Sequence, residues 1–321
     1  MKKITAILVI TMIITLFFSG CNANTTGNPE NQVNKINISY VKLPLNIPSI
    51  IEKNEALFEE EFNKGDIEVL FPEITQGSKM TEALAAGSLD FCNALGGTSA
   101  LLAAANGVDL KIIGIYSRAP KAFTLMTNDS SVITVDDLKG KKIVGPKGTI
   151  LHQLLLASLE KSNISINDIE FINMGIPEGI SAMMSGNADA ALVAGPAVFQ
   201  ALENNAHIIT TGEGLLDATI VIAVRGDFLR NHPDLVERYM RVHQNSLEYM
   251  ESNPEKTSSM AAEETGISVD EVIIMQEWYD FNPAITGKDI KELEKTQDFL
   301  QNNDMLSKTI DINTIIQDMS L

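Results

Sequence analysis

The chain has 321 residues, 45% of them hydrophobic and 21% charged, with 42 acidic against 24 basic side chains and a formal charge of −18. At roughly 150 residues per compact unit this length suggests two domains, and a chain of this size buries about three quarters of its unfolded surface without disulfide or metal staples. So acidic a surface repels nucleic acid and anionic membranes, and any anionic ligand has to be held by local groups in a cleft.

Lys2 and Lys3 precede an apolar-and-threonine run from Ile4 to Phe18, followed by Ser19, Gly20 and Cys21. The run is short for a membrane span of about 20 residues and reads as a signal peptide over residues 1–20. Its removal takes away two lysines and no acid, leaving 22 basic against 42 acidic residues, a charge of −20. Phe18-Ser19-Gly20-Cys21 resembles the lipobox of bacterial lipoproteins, with phenylalanine where leucine is usual. That resemblance implies lipidation of Cys21, so that the mature chain is extracytoplasmic and held to the membrane by its N-terminal lipid. Residues 21–34 form a polar Asn/Thr/Gly/Pro tract, a flexible tether.

The chain then alternates strand and helix patterns. "ISYVKLPLNIPSIIEK" (Ile38 to Lys53) reads as strand, Pro/Lys-bearing turn and helix start, and "GDIEVLFPEITQGSKM" (Gly65 to Met80) as another strand, turn and helix. In "EALAAGSLDFCNALGGTSA" (Glu82 to Ala100) a helix ends, a strand runs through Cys92, and a glycine turn opens the helix "TSALLAAANG". Cys92 is the one cysteine besides Cys21, and its apolar setting suits a small buried hydrophobe. Strands are expected at Leu110 to Tyr116 and Phe123 to Thr127, flanking Arg118-Ala119-Pro120.

Next comes "KIVGPKGTILHQLLLASLEKS" (Lys142 to Ser162), a strand that breaks at Gly145-Pro146-Lys147-Gly148-Thr149 and continues as a helix. A helix opened this way presents unpaired N–H groups and the positive end of its dipole, which favours an anion or a polar ligand head. It is not a nucleotide P-loop, because G-x-x-x-x-G-K-[ST] needs lysine directly after the second glycine and Thr149 follows Gly148. An ordinary βα turn stays open beside a small-ligand site.

Shifting the chain by 99 residues lays "EALAAGSLDFCNALGGTSA" over "ISAMMSGNADAALVAGPAV" (Ile180 to Val198), so that Gly87 meets Gly186, Asp90 meets Asp189 and Gly96 meets Gly195. Upstream, Asp66-Ile67-Glu68 parallels Asp168-Ile169-Glu170. Each copy reads β-turn-α three times over, the pattern of parallel βαβ units, whose ligands lie beyond the carboxyl ends of the strands. Two copies facing one another bring six such turns to one cleft. The chain is expected to cross between them at about residues 119–127 and 219–225. After Arg225 the pattern is helical, with Pro233 at a first helical position and Ser268 and Thr286 as N-caps. These helices are expected to pack on the first copy.

"EALAAGSLDF", "DDLKGKKIVGPKGTILHQLLLASLEKSN" and "SGNADAALVAGPA" resemble the substrate-binding proteins of bacterial ABC importers for aliphatic sulfonates, taurine and nitrate, a group that also holds binders of thiamine pyrimidines. The resemblance runs from about Lys35 to Ser307. The pattern L-x-G-K-K-[IV]-[AG]-x-x-x-G-[ST] is kept in Leu138 to Thr149 and Ala-Leu-x-x-G-x-x-Asp in Ala83 to Asp90. It implies an α/β fold of the type II periplasmic-binding-protein kind, two α/β lobes joined by a two-strand hinge. The expected layout is residues 35–120 as the first part of lobe 1, 121–224 as lobe 2 and 225–321 as the rest of lobe 1.

Carried onto this chain, the resemblance implies ligand contacts at Asn46, Gln76, Gly97, Thr98, Ser99, Gly148, Thr149, His152 and Pro196. Where relatives carry W-x-P or W-D-P, this chain has Ala194-Gly195-Pro196. Lys147 joins the candidates as a neutraliser of an anion, against the alternative of a solvated charge beside Lys141 and Lys142. Thr98 and Ser99 either cap their helix or face the ligand, Gly97 either shapes its turn or lets a ligand approach closely, and His152 either binds an oxyanion or packs. Lys42, Arg118 and Asp217 are weaker candidates. Met183-Met184 and Trp278-Tyr279-Phe281 fit core faces.

The expected function is capture of a small anion by lobe closure and its delivery to an ABC permease, without chemistry, cofactor or metal. The four histidines are scattered and no H-x-x-x-H or C-x-x-C pair occurs. The alternatives are a binder of a pyrimidine or similar heterocycle and a ligand-sensing ectodomain acting through a partner.

Overall fold

The computed structural model describes residues 33–320. The expected leader, Cys21 and nearly all of the tether lie outside the described residues. In chain order the elements are β1 (Lys35–Asn37), α1 (Ile47–Asn54), α2 (Leu57–Phe62), β2 (Glu68–Leu70), α3 (Gly77–Ala85), β3 (Phe91–Gly96), α4 (Gly97–Ala105) and β4 (Leu110–Arg118), followed by β5 (Phe123–Thr127), β6 (Lys142–Gly145), α5 (Ile150–Lys161), β7 (Glu170–Asn173), α6 (Ile176–Met184), β8 (Ala190–Ala194), α7 (Pro196–Glu203) and β9 (His207–Thr211). Then come β10 (Thr219–Arg225), α8 (Gly226–Asn231), α9 (Pro233–Ser252), α10 (Pro254–Thr265), α11 (Val269–Gln276) and α12 (Gly287–Asn302).

These strands make two sheets of one design. The second runs β7-β6-β8-β5-β9, with β6 parallel to β7 and β8 and with β5 antiparallel to β8 and β9. In the first, β3-β10-β4 has β10 antiparallel to both neighbours. β1 pairs with β2 in parallel and Ile38, just past β1, bridges Phe91, so the order extends to β2-β1-β3-β10-β4. Each half therefore supplies the antiparallel fourth strand of the other's sheet, β5 following β4 and β10 following β9.

The exchange puts the crossings at residues 119–122 and 212–218. The second is earlier than the expected 219–225, and Thr219–Arg225 belongs with the first sheet rather than with the segment ending at 224. The reason is local: "TIVIAVR" is buried along six consecutive residues, as a central strand covered on both faces must be, whereas Gly212 and Gly214 supply the turn before it.

The repeat holds at the level of single hydrogen bonds. Asp90 Oδ2 accepts from the Asn37 amide at 2.9 Å and Asp189 Oδ2 from the Lys142 amide at 2.7 Å. The amides of these two aspartates donate in turn to the carbonyls of Asn37 and Lys142. Gly87 and Gly186 end α3 and α6 at φ of +69° and +74°, a conformation that favours glycine.

The C-terminal helices pack on the first sheet's half, α9 and α10 against α1 and α12 against α4. Phe91 of β3 stacks on Tyr239 of α9 with ring centroids 4.1 Å apart, and burial of an aromatic or aliphatic side chain of this size contributes about 1.5–3 kcal/mol. Beneath them Glu52, 1% exposed, lies 2.7 Å from His243 Nδ1 and accepts from Asn93 Nδ2 at 2.8 Å. The outer edge of β4 is covered by the chain's last residues: Ile316 bridges Ile112, Gln317 N–H donates to the Ile112 carbonyl and Met319 N–H to that of Ile113.

Candidate functional site

In the first sheet's half, α1, α3 and α4 follow the turns that leave the β1, β2 and β3 segments; in the second, α5, α6 and α7 do so after β6, β7 and β8. Their N-cap residues are Asn46, Gln76, Gly96, Thr149, Gly175 and Gly195, and none of the six makes a side-chain cap hydrogen bond. A helix start leaves four N–H groups without an intrahelical partner. In α1 one of these is taken, Ser49 N–H donating to the Tyr116 hydroxyl at 3.1 Å. In α6 the first turn carries Glu178, whose carboxylate lies against Gly175, while the starts of α3, α4, α5 and α7 keep a partial positive charge that suits an anion or an oxygen-rich head.

Several turns of one half touch the other. A Cβ added at Gly195 would lie 2.5 Å from Cα of Pro44, and one at Gly96 would lie 3.4 Å from Cδ1 of Ile150. Gly96 and Gly195, one of the two repeat-matched pairs of glycines, therefore both line the junction between the halves. Gly195 has φ +60° and ψ −137°, and its bare Cα is what admits the Pro44 turn.

The expected contact residues fall into two groups by what they touch. Ser99 Oγ donates to the Gly148 carbonyl at 3.3 Å, and a Cβ on Gly148 would lie 3.6 Å from Leu102, which joins the α4 start to the turn before α5. Gly77, next to the exposed Gln76, packs on Ser99. Thr98, 2% exposed, donates to Gln153 Oε1 at 2.8 Å. The second group is Asn46 and Pro196, at the turn that carries Pro44 and at the first residue of α7. Asn46 is buried, and its Nδ2 donates to the carbonyls of Val41 and Leu43 at 2.8 and 3.2 Å.

The helix α5 start sorts its own candidates. Thr149 Oγ1 donates back to the Pro146 carbonyl at 2.8 Å, leaving the first-turn N–H groups uncapped. Lys147 is exposed, its backbone N–H donating to Asn173 Oδ1. His152 is 4% exposed and stacked on Phe171 at 4.8 Å. Its Nδ1 accepts from Gly148 N–H at 3.4 Å, and burial, aided by the charge of Lys147, pulls the imidazole down to about 4. It is neutral at neutral pH and serves this turn as a packed acceptor. Gly97 is packed too, the direction of its missing side chain meeting the Thr219 carbonyl at 3.0 Å and Leu293 at 3.1 Å.

The weaker candidates are held in ion pairs. Arg118 is bidentate to Asp289 at 2.6 and 2.7 Å and also reaches Asp280 at 3.2 Å, Lys42 lies 3.7 Å from Glu264, and Asp217 pairs with Lys288 at 2.8 Å. Met183, Tyr279 and Phe281 are core residues. Trp278 stacks on Phe199 of α7 at 5.5 Å, bringing the C-terminal segment against the second sheet's half.

One residue that no sequence motif marks bridges the halves from α5. Gln153, 7% exposed, accepts from Thr98 and donates through Nε2 to Thr296 Oγ1 of α12 at 3.1 Å. The available signal was a lone amide inside "ILHQLLLASL". Among the described residues, no three of His, Cys, Asp and Glu gather as a metal site would require.

Comparison with known proteins agrees with this architecture. A protein of Bacillus subtilis provisionally named an aliphatic sulfonates-binding protein is 27% identical over 313 residues, covering 96% of this chain and 93% of its own length. Among solved structures, the alkanesulfonate-binding protein SsuA from Xanthomonas axonopodis pv. citri bound to MOPS superposes with a TM-score of 0.81 at 24% identity, covering 89% of this chain and 98% of that one. The desulfurization enzyme DSZB shares the fold at a TM-score of 0.68 and 15% identity, over 89% of this chain and 96% of that one. The family model described as NMT1/THI5 like matches residues 59–257; the chain belongs to that family and has the periplasmic-binding-protein fold of its solved neighbours.

Proposed function

We propose that this chain is an extracytoplasmic solute-binding protein that captures a small sulfonate-type anion between its two halves and hands it to an ABC permease, anchored through lipid on Cys21. The observation that carries the reading is the set of helix starts without side-chain caps where the two halves meet, those of α1, α4, α5 and α7. It is supported by relatives named for aliphatic sulfonate binding, which match 96% and 88% of this chain. Nitrate and taurine fit the same chemistry, a compact oxyanion met by N–H donors.

The protein acts here without covalent chemistry. The DSZB likeness raises an enzyme as the rival, yet Cys92 is wholly buried, and desolvation pushes its thiol up to about 12, far from a reactive thiolate. His152 is stacked and uncharged at neutral pH. Binding alone is what the neutral donors offer, and a ligand shifts closure by as much as its affinity differs between open and closed forms.

The test is isothermal titration of the purified chain with methanesulfonate, taurine, nitrate, bicarbonate and a pyrimidine, with small-angle scattering before and after. An alkanesulfonate should bind and compact the protein. Binding of the pyrimidine alone would replace this reading with that of a heterocycle receptor, and a flat response to all five would remove it.

A further inference from the structure

Away from the junction of the sheets, a groove of about 1010 Å³ lies between the end of α9, α10, α11 and residues 279–283. Its apolar lining includes Leu247, Met250 and Phe281, each 7–8% exposed, and it opens to solvent past Ile273, 49% exposed, and Val269, 39% exposed. Four exposed carboxylates, Glu248, Glu251, Glu255 and Glu277, stand around it, none in an ion pair among the described residues. No lysine or arginine lines it. An apolar floor inside an unneutralised acidic rim is a surface in want of a partner rather than a solvated face.

The charge pattern narrows the occupant. A second copy of this chain carries the same excess of acid, 42 against 24, and an anionic bilayer or nucleic acid is repelled likewise. What complements both features is an amphipathic helix with an apolar stripe flanked by lysine or arginine, docked helix-in-groove. We propose that this groove is the docking surface for a basic amphipathic helical segment of a partner protein.

Its position gives the docking a mechanical connection. The wall at Asp280 is paired with Arg118, the last residue of β4 before the chain crosses to the second sheet. Two residues earlier, Trp278 stacks on Phe199 of the other half. A segment seated here touches the stretch that spans both halves.

The probe is a synthetic peptide of leucine and lysine, about 14 residues or four helical turns, arranged to form one apolar stripe, against a scrambled peptide of equal composition. Titrated into the purified chain, the striped peptide should bind at least about tenfold more tightly than the scrambled one. Ile273→Ser, an exposed position whose change hollows no core, and the double change Glu251→Gln with Glu255→Gln should each weaken it at least about fivefold. Glu170→Gln with Glu203→Gln, which removes the same charge on the second sheet's half, should leave it unchanged. Equal binding of both peptides, or equal loss from both pairs of glutamate changes, would mean adherence to net charge and overturn the proposal. These readings do not involve the solute, so they stand or fall separately from the proposed transport function.

Discussion

The helix starts at the junction of the two sheets and those on the outside of the molecule are built differently. Outside, Thr134, Ser165, Ser268 and Thr286 each close a reciprocal box with Asp137, Asp168, Glu271 and Asp289. The six starts that follow β1, β2, β3, β6, β7 and β8 have no such side chain. Outside, α2, α8, α9 and α10 lack a side-chain cap as well, the last two beginning with proline as α7 does, so what the junction lacks altogether is the reciprocal box. A cap typically contributes about 1 kcal/mol, so the junction forgoes stability that the outside takes. Donors left open are available to something that is not the protein.

The sharpest way to break this contrast is at the matched glycines. Gly195→Ala puts a Cβ into the backbone of Pro44 at a left-handed φ, and overpacking with strain should cost about 3 kcal/mol or hold the halves apart; urea unfolding and scattering should show one or both. Gly186→Ala has open space and should cost only about 1 kcal/mol. Acidification probes the α5 start. Folded His152 stays neutral to about 4, whereas the unfolded chain takes up its proton near 6.5, so stability present above that pH is lost as pH falls between the two values. The loss should be no more than about 3.5 kcal/mol, and His152→Phe should flatten it in denaturant midpoints followed across that window.

Gln153→Leu should cost about 1–3 kcal/mol, because it strands the hydroxyls of Thr98 and Thr296. If the amide holds the halves together, ligand dissociation in stopped flow should quicken as well. The smallest effects make the cleanest pair: Ser268→Ala should lower stability by about 1 kcal/mol and leave affinity alone, whereas Thr149→Ala, which frees the turn its hydroxyl ties to the Pro146 carbonyl, should cost a similar amount and weaken solute binding as well. The reverse outcome would erase the distinction between inner and outer starts.

The alternation of strands and helices could be read from sequence because each unit carries its own punctuation. Gly87 and Gly186 mark left-handed helix ends, and Asp90 and Asp189 tie the next strand to its neighbour, so a shift of 99 residues exposes a structural identity. The caps at Ser268 and Thr286 were readable for the same local reason. The second crossing is not marked in the sequence, because a strand exchanged between sheets looks, residue by residue, like any other buried strand. At the candidate site, sequence spacing indicates which turns face the junction but not what each side chain does there. Thr98 bonds Gln153 and Arg118 is drawn to Asp289, partners 55 and 171 residues away. Long-range pairings of this kind follow from packing, which local pattern does not encode.

The last residues of the chain lie along β4, taking up donors and acceptors that the strand would otherwise display at its open side. An uncovered row of that kind is a template on which a foreign strand can grow. Trimming the chain before Ile316 would thus change how the protein behaves in company more than how it folds alone, and the tail acts as a guard against self-adhesion.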